Sequence, residues 1–194
     1  MFATENKGKL RELKALLEEY NIAVLSLSDY PDIPEIIEDG KTFFENALKK
    51  ARVVSGHIGQ VVIADDSGLE VDFLGGRPGV HSARYSGPDA DDEKNIRKLL
   101  EELKDVPVEK RGAAFKCVLV LFNTDGTSES FEGQLRGKIA FNPAGSEGFG
   151  YDPVFIVPEF GCTVAELSPE VKNMISHRAE AFNKLKKSLQ RSIK

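Results

Sequence analysis

Apolar residues recur along this chain with two alternating periods, and that alternation constrains the fold more than any other feature. Spacings of three and four residues predict helices, whereas short continuous apolar runs predict buried strands. An Asp125-Gly126 turn between two strand patterns predicts a hairpin. Helices interleaved with strands, plus one hairpin, predict an α/β fold with a mixed sheet. Helices are predicted over Lys7–Tyr20, from the N-cap Thr42 to Val54, over Pro88–Lys104, and from the N-cap Ser168 and Pro169 onward through Phe182–Leu189. Strands are predicted over Ile22–Leu27, Val61–Ala64, Ala113–Phe122, Ser128–Ile139 and Val154–Val157. The second helix is predicted to bury Phe44, Ala47, Leu48, Ala51 and Val54, and Cys117 is predicted to lie in the core.

Length and composition indicate a single domain over residues 1–194, with room for two small lobes. The chain has 194 residues, of which 41% are hydrophobic and 29% charged, so it lacks the composition of a disordered chain. Its 26 basic and 31 acidic residues give a net charge of −5, which argues against a general nucleic-acid binder. No apolar run reaches the roughly 20 residues of a membrane span, and the first residues lack a signal-peptide pattern. Neither Cys117 nor Cys162 has partners that predict a disulfide or zinc site, so we expect a cytoplasmic protein.

The first polar cluster, Thr4-Glu5-Asn6-Lys7-Gly8-Lys9, stands at the start of the first predicted helix. Helix N-termini present unpaired N–H groups and a positive partial charge, so they attract anions. Gly8 allows close backbone approach, and Lys7 or Lys9 can neutralise a phosphate. The cluster lacks the longer glycine-flanked loop of a Walker A motif. The alternative interpretation is a solvated first turn whose polar residues only cap the helix.

The second cluster, Asp65-Asp66-Ser67-Gly68, follows the apolar run Val61–Ala64, so we predict two carboxylates at the C-terminal end of a buried strand. Adjacent buried acids need a cation or hydrogen-bond donors. Oxygen ligands of this kind suit Mg²⁺, and a carboxylate here can also deprotonate an attacking water. The acidic loop Glu35–Asp39 could add a metal ligand. The alternatives are an exposed turn and a solvated acidic loop.

Two further clusters combine polar groups with aromatic or basic side chains. In Gly148–Pro153, glycines flank an aromatic ring on which a nucleobase could stack, and Asp152 could accept hydrogen bonds from a base or sugar. Lys172 and the sequence Ser176-His177-Arg178 offer donors for phosphate or carbonyl groups at a helix junction. The alternatives are a glycine-rich turn with inward aromatics and a capped, solvated first helical turn.

These clusters occur in a specific order within five longer stretches of sequence. The stretches are ATENKGKLRELKALL, EDGKTFFENALKKA, ADDSGLEVDFLGGRPGVHSARYSG, GFGYDPVFIVP and AELSPEVKNMISHRAEA, and they run from Ala3 to about Leu185. In the residues of these stretches and in their order, the chain resembles the inosine triphosphate pyrophosphatase family. The members of this family are enzymes that hydrolyse non-standard purine nucleoside triphosphates.

The resemblance implies a Mg²⁺-dependent hydrolase that cleaves the α–β phosphoanhydride bond of XTP, ITP or dITP. The products would be the monophosphate and pyrophosphate, and the reaction would keep these bases out of DNA and RNA. The implied fold is an elongated mixed β-sheet flanked by helices, in two lobes with an active-site cleft between them. The implied working unit is a cytoplasmic homodimer, with neither nucleic acid nor membrane as a partner.

The resemblance also implies a role for individual residues. Asp66 would be both a metal ligand and the general base, with Glu38 and the neighbouring Asp65 as further metal ligands. The triphosphate would be held by Thr4, Asn6, Lys7, Gly8, Lys9 and Lys50, with Ser67 as another substrate contact. The base and sugar would be framed by Phe149, Gly150, Tyr151 and Asp152, while Lys172, His177 and Arg178 would read the purine edge and the adjoining phosphate.

The chain departs from the family pattern in its first motif. Many relatives have Gly where this chain has Glu5, and a negative charge near a triphosphate is unfavourable unless its side chain points away. Only Met1–Ala3 precede Thr4, so we expect a short first strand, either naturally trimmed or starting upstream.

Three other functions agree less well with these residues. The FGYDP and SHR motifs argue against a pyrophosphatase of pyrimidine nucleotides. The acids Glu38, Asp65 and Asp66 argue against a regulator that binds nucleotides without turnover, because a binder of a polyanion gains little from carboxylates. The net charge of −5 argues against an RNA-binding module.

Overall fold

A computed structural model describes residues 1–4, 6–17 and 26–192. Its helices are α1 (Lys7–Leu17), α2 (Phe43–Ile58), α3 (Asp92–Glu102), α4 (Pro169–Ile175) and α5 (His177–Ser192). Its strands are β1 (Phe2–Ala3), β2 (Val62–Val71), β3 (Gly112–Phe122), β4 (Ser128–Ile139), β5 (Phe155–Val157) and β6 (Cys162–Thr163). Among the helices so described, none is both long enough and apolar enough to cross a membrane.

The strands form one six-stranded sheet in the order β1-β2-β3-β4-β5-β6. β1 pairs parallel with β2, which aligns Ala3 with Ala64, whereas β5 pairs antiparallel with β4 and β6. β3 and β4 are neighbours joined through the predicted turn, where Gly126 adopts a φ of 89°. The mixed α/β sheet and the hairpin predicted from the sequence are therefore confirmed.

The prediction that a strand ends at the two acids is wrong. β2 is a ten-residue strand that continues through Asp65 and Asp66 to Val71. The strand does not break because both buried carboxylates face cationic or N–H groups, which offset the cost of removing them from water. The acids consequently lie within β2, directly after the residues that pair with β1.

The chain forms two compact units. Unit 1 comprises Met1–Ser67, Cys117–Gly133 and His177–Lys194, and unit 2 comprises Gly68–Lys116 and Gln134–Ser176. Each unit has its own apolar core: Leu13, Cys117, Leu119, Phe182 and Leu185 belong to the first, and Leu69, Leu99, Phe115, Phe155 and Leu167 to the second. Cys117 is a buried core residue, as predicted, and burial raises the pKa of its thiol to about 12. Because β2, β3 and β4 each contribute to both units, neither unit is one continuous segment.

Helix α2 belongs to unit 1 and begins as predicted, with Thr42 as N-cap accepting a hydrogen bond from the Glu45 N–H. Its predicted buried face is partly wrong, because Phe44 is exposed. The face that is buried carries two polar residues, Asn46 and Lys50, among apolar neighbours. These two side chains point into the charged group described below.

Other element boundaries differ modestly from the predictions. The predicted strand Ile22–Leu27 lies largely outside the described residues, and its last residue opens a short 3₁₀ turn. Helix α3 begins at Asp92 rather than at Pro88, because Asp91 caps it by accepting a hydrogen bond from the Lys94 N–H. At the start of α4, Ser168 is the N-cap before a proline, as predicted.

Candidate active site

Two adjacent carboxylates on β2 form the centre of a buried charged group in unit 1. Asp65 is completely buried and Asp66 nearly so. The Lys9 ammonium lies 2.8 Å from Asp65 Oδ2. Lys50 Nζ donates to the Asp65 carbonyl oxygen at 2.8 Å and also pairs with the Glu38 carboxylate at 2.5 Å. We call Lys9, Glu12, Glu38, Lys50, Asp65, Asp66 and Arg178 the charged group.

The two neighbouring acids experience opposite electrostatic environments. Burial is the largest influence on both and favours the protonated form. At Asp65 the charges of Lys9, Lys50 and Arg178 together outweigh burial and lower the pKa below its ordinary value. At Asp66 burial dominates, and the nearby Glu38 carboxylate adds to it, so the pKa is raised. A raised pKa suits a proton acceptor, and such divergence between adjacent groups is typical of catalytic sites.

The Asp66 carboxylate is held by a separate donor on each oxygen. Asn46 Nδ2 donates to Oδ2 at 2.9 Å, and the Ser67 backbone N–H donates to Oδ1 at 2.8 Å. These contacts fix the plane of the carboxylate. Asn46 was not predicted from the sequence, although a polar residue on the buried face of an amphipathic helix is a recognisable signal.

The carboxylate oxygens of the charged group are suitable ligands for a hard divalent cation. The carboxylates of Glu12, Glu38, Asp65 and Asp66 outnumber the cations of Lys9, Lys50 and Arg178. Asp65 Oδ1 is buried without a hydrogen-bond partner among the described residues. Within those residues, no three acidic, histidine or cysteine side chains form a ready-made metal cage. Oxygen ligands in small number are what Mg²⁺ uses when waters and phosphates complete its shell.

The first motif forms the capped start of α1. The Thr4 hydroxyl accepts from the Asn6 N–H at 3.2 Å, and the Asn6 side-chain oxygen accepts from the Lys9 N–H at 3.0 Å. The cap uses the backbone N–H of Lys9, whereas its side-chain ammonium extends to Asp65. Capping of the helix therefore does not prevent this ammonium from binding an anion. Glu5 and the Lys7 side chain lie outside the described residues.

The α4–α5 junction brings Arg178 to the charged group. Its Nη1 donates to the Glu12 carboxylate on α1, and its Nη2 donates to the Ser67 hydroxyl at 3.2 Å. The neighbouring His177 is also buried. Its carbonyl oxygen lies so close to Gly133 on β4 that a methyl group there would approach it to 2.0 Å.

The FGYDP motif forms a second polar group, within unit 2. Asp152 Oδ2 accepts from the Phe149 N–H at 2.9 Å and from Lys172 Nζ at 2.5 Å. That ammonium lies 4.7 Å from the centre of the Phe149 ring. Gly148 has a φ of 83°, and a methyl group there would approach Asp152 Oδ2 to 2.0 Å. We call Phe149, Asp152 and Lys172 the aromatic group.

Two outside contacts hold the loop that carries the aromatic group. The Gly150 N–H donates to Asp92 Oδ2 at 2.7 Å, and the Tyr151 hydroxyl donates to the Ser82 carbonyl oxygen at 2.9 Å. The ring of Tyr151 is buried, whereas that of Phe149 is half-buried. The alternative interpretation, aromatics packed inward, therefore describes Tyr151 but not Phe149.

The predicted site residues thus fall into two sets. Unit 1 contains Thr4, Asn6, Gly8, Lys9, Glu38, Lys50, Asp65, Asp66, Ser67, His177 and Arg178, and unit 2 contains Phe149, Gly150, Tyr151, Asp152 and Lys172. Glu12, Asn46 and Asp92 contact these sets through their side chains and were not predicted.

The structure therefore combines a mixed α/β sheet with a buried pair of carboxylates that lies among two lysines and an arginine. The sequence model of the Ham1 family matches residues 1–188. The chain belongs to the Ham1 family, which confirms the resemblance found in the sequence.

Similar proteins cover almost the whole chain. A dITP/XTP pyrophosphatase of Geobacter sulfurreducens is 55% identical over 187 residues, 96% of this chain and 94% of that protein. The dITP/XTP pyrophosphatase of Bacillus subtilis is 48% identical over 190 residues, 98% of this chain and 96% of that protein. The solved structure of a HAM1 protein from Coxiella burnetii has 41% identity and a TM-score of 0.89, covering 98% of this chain and 97% of that one.

Proposed function

We propose that this chain hydrolyses non-standard purine nucleoside triphosphates, namely XTP, ITP and dITP, to the monophosphate and pyrophosphate. The reaction would remove these nucleotides before polymerases use them. The proposal is carried by the buried pair Asp65–Asp66 among three cations, in a chain about half identical to proteins named dITP/XTP pyrophosphatase.

The start of α1 and one face of α2 would bind the triphosphate. Lys9 and Lys50 already lie against carboxylates in unit 1, so their charges are positioned without substrate. Phosphate oxygens are acceptors, and ammonium groups and helix N-terminal N–H groups are donors suited to them. Thr4, Asn6, Lys7 and Gly8 would complete this binding surface, and Ser67 would add a hydroxyl.

Asp66 would act as the general base. It accepts a proton from water as the water oxygen bonds to the α-phosphorus, and the bond from that phosphorus to the bridging oxygen breaks to release pyrophosphate. Asn46 and the Ser67 N–H orient the carboxylate for this transfer. Lys9 and Lys50 would balance the charge on the departing pyrophosphate.

A magnesium ion would be held by Glu38 and Asp66, with Asp65 as a further ligand. When bound, Mg²⁺ neutralises phosphate charge that lysines alone cannot balance. The excess of carboxylates over cations in the charged group supports this choice.

The aromatic group would hold the purine. Phe149 would stack on the base, while Gly150, Tyr151 and Asp152 frame it and the sugar. Lys172, His177 and Arg178 would offer donors to the base edge and phosphate. Hypoxanthine and xanthine carry a carbonyl at the six position, whereas adenine carries an amino group there. A donor facing that amino group stays unmatched, which costs roughly 1–3 kcal/mol, and sites built on hydrogen bonds can discriminate by about 10⁴-fold.

A nucleotide panel tests the proposed function directly. We expect pyrophosphate release from ITP, dITP and XTP with Mg²⁺, little release from ATP, GTP, UTP or dTTP, and loss of activity when the metal is chelated. Separate assays for pyrophosphate and orthophosphate identify the bond that is cleaved. Orthophosphate alone would place the attack at another phosphorus and contradict the role of Asp66, and turnover of UTP or dTTP would favour a pyrimidine enzyme.

Replacing Arg178 with alanine tests base selection. We expect the ratio of kcat/KM for ITP to that for ATP to fall by about tenfold or more, because the donor that favours a carbonyl is lost. The assay is run below the melting temperature of the variant, since the change also removes a buried partner of Glu12. An unchanged ratio in folded protein would remove Arg178 from base selection.

We also propose a homodimeric, cytoplasmic protein. Both properties rest on the family resemblance, and the net charge of −5 argues against nucleic acid as a partner.

A further inference from the structure

We propose that Asn46 on α2 is a positioning residue that holds the Asp66 carboxylate and the segment Glu38–Lys41 in one arrangement, and thereby presets Glu38 and Asp66 for a divalent metal. The inference rests on the proposed function. The Asn46 side chain is completely buried, although its amide is polar at both ends. Burying an amide is costly unless its donor and its acceptor both have partners.

Each end of the Asn46 amide has a partner on a different part of unit 1. Its Nδ2 donates to Asp66 Oδ2 at 2.9 Å, and its Oδ1 accepts from the Gly40 backbone N–H at 2.7 Å. A carboxylate only accepts and a backbone N–H only donates, so the two ends of the amide cannot exchange places. The side chain therefore forms a bridge of fixed orientation between β2 and the segment that precedes α2.

The segment Glu38–Lys41 lies against α2, and each of its four residues contacts that helix. The four contacts are Glu38 to Lys50, Asp39 to Lys49, the Gly40 N–H to Asn46 and the Lys41 N–H to Glu45, at 2.5, 2.7, 2.7 and 2.6 Å. Those of Asp39 and Lys41 are exposed to water, which weakens them. Asn46 makes the contact that also reaches Asp66, so it joins this segment to β2.

Gly40 shows how closely the segment approaches Asn46. A methyl group at Gly40 would lie 2.6 Å from Asn46 Oδ1 and 2.8 Å from Glu45 Cβ, which is too close for either contact to persist. An alanine at this position therefore has to move the segment away from α2. Because Glu38 lies two residues earlier in the same segment, its carboxylate would move as well.

Glu38 and Asp66 are the two residues proposed to hold Mg²⁺. Burial raises the pKa of Asp66, and the negative charge of Glu38 adds to this effect, so the two carboxylates are electrostatic neighbours. Mg²⁺ demands nearly octahedral geometry and tolerates little error in the positions of its ligands. Loss of a hydrogen bond that holds a metal ligand typically lowers metal affinity or activity by about 10- to 100-fold. Asn46 donates such a bond to one ligand and holds the backbone that carries the other.

A purely stabilising role leads to a different expectation. Loss of a buried, hydrogen-bonded amide lowers stability wherever it lies, but it does not by itself change how folded protein binds a metal. Asn95 on α3 offers a matched control, because its buried amide accepts from the Ser86 N–H and donates to the Ala83 carbonyl oxygen. Asn95 belongs to unit 2 and has no part in the proposed metal site.

The test compares wild type with Asn46→Leu, Gly40→Ala and the control Asn95→Leu, each well below its melting temperature. These changes leave the net charge unaltered. Titration of Mn²⁺ into the nucleotide-free protein, followed by EPR spectroscopy, gives the dissociation constant of the metal. We expect Asn46→Leu and Gly40→Ala to raise this constant by about tenfold or more, and Asn95→Leu to leave it unchanged.

Steady-state kinetics with ITP and saturating Mg²⁺ supply a second readout. Asn46→Leu should lower kcat by about 10- to 100-fold, because misplacing a reacting group by an ångström has an effect of that size. KM for ITP should change little, since Lys9 and Lys50 keep their contacts with Asp65.

Equal Mn²⁺ affinity in wild type, Asn46→Leu and Gly40→Ala would overturn the inference, even if both variants melt at a lower temperature. An equally raised dissociation constant in Asn95→Leu would also overturn it, as would wild-type protein that turns over ITP but binds no Mn²⁺ on its own. If Asn46→Leu does not fold, the Mn²⁺ criterion applies to Gly40→Ala. Wild-type protein without turnover of ITP or XTP would overturn the proposed function, whereas the Mn²⁺ titrations decide the role of Asn46 in either case.

Discussion

Replacing Asp66 with asparagine is expected to lower kcat for ITP by about 10²–10⁴-fold, the usual contribution of a general base. The amide has nearly the shape of the carboxylate, but it cannot take a proton from water. Its side chain can still meet one donor of the wild-type site, so the strand should keep its conformation. KM should change little, because Lys9 and Lys50 remain to bind phosphate.

Steady-state kinetics with ITP and Mg²⁺ give both constants. Asp72→Asn is a suitable control, since it removes a carboxylate just beyond β2 that is exposed and pairs with Arg136. The control should keep wild-type kcat. Turnover close to wild type in Asp66→Asn would exclude Asp66 as the base, and a large rise in KM at unchanged kcat would instead make it a binding residue.

The limits of sequence-based prediction are clearest at β2. The apolar run before the acids predicted a buried strand, and that part is confirmed. Two consecutive acids normally end such a strand, because isolated charges are costly to bury. Here the strand continues because Lys9 and Arg178, from distant parts of the chain, compensate for the charges. Local pattern cannot reveal partners that only the folded chain supplies.

Helix α2 shows a signal that was present but interpreted differently. The helical spacing of its apolar residues was evident in the sequence. However, the apolar residues alone predicted a buried face that includes Phe44, which is exposed in the structure. Asn46 and Lys50 lie on the buried face, where they contact Asp66 and Asp65. Polar residues at buried helical positions are costly unless they are satisfied. Their positions, more than the apolar pattern, indicate where the helix meets functional groups.

Contacts between distant residues could not be predicted at all. Glu12 and Arg178 form an ion pair although they are 166 residues apart in the sequence. Asp92 accepts a hydrogen bond from the N–H of Gly150, which is 58 residues away. The motifs identified the residues bearing functional groups, whereas the residues that orient them follow only from the tertiary structure. Residues such as Glu12 and Asp92 therefore become recognisable only once the fold brings them to their partners.

Replacing Asp152 with asparagine is expected to lower the free energy of unfolding by roughly 3–5 kcal/mol, the usual cost of breaking a buried ion pair from one side. Its partner Lys172 has a side chain only 9% exposed, so the change would take the Asp152 carboxylate away from a charge that stays buried. Asp152 also accepts from the Phe149 N–H, so the loop that carries the aromatic ring should loosen. Chemical denaturation measures the first effect, and KM for ITP, expected to rise at least tenfold, measures the second.

The double variant Asp152→Leu/Lys172→Met separates these two effects. Apolar replacement of a whole buried pair is often neutral or stabilising, so the free energy of unfolding should return close to the wild-type value. Leucine cannot accept from the Phe149 N–H, and methionine cannot donate to the base, so weak ITP binding should persist. If stability and KM recover together, the pair serves folding alone. If KM stays high in a protein as stable as wild type, Asp152 and Lys172 are part of the binding surface for the purine.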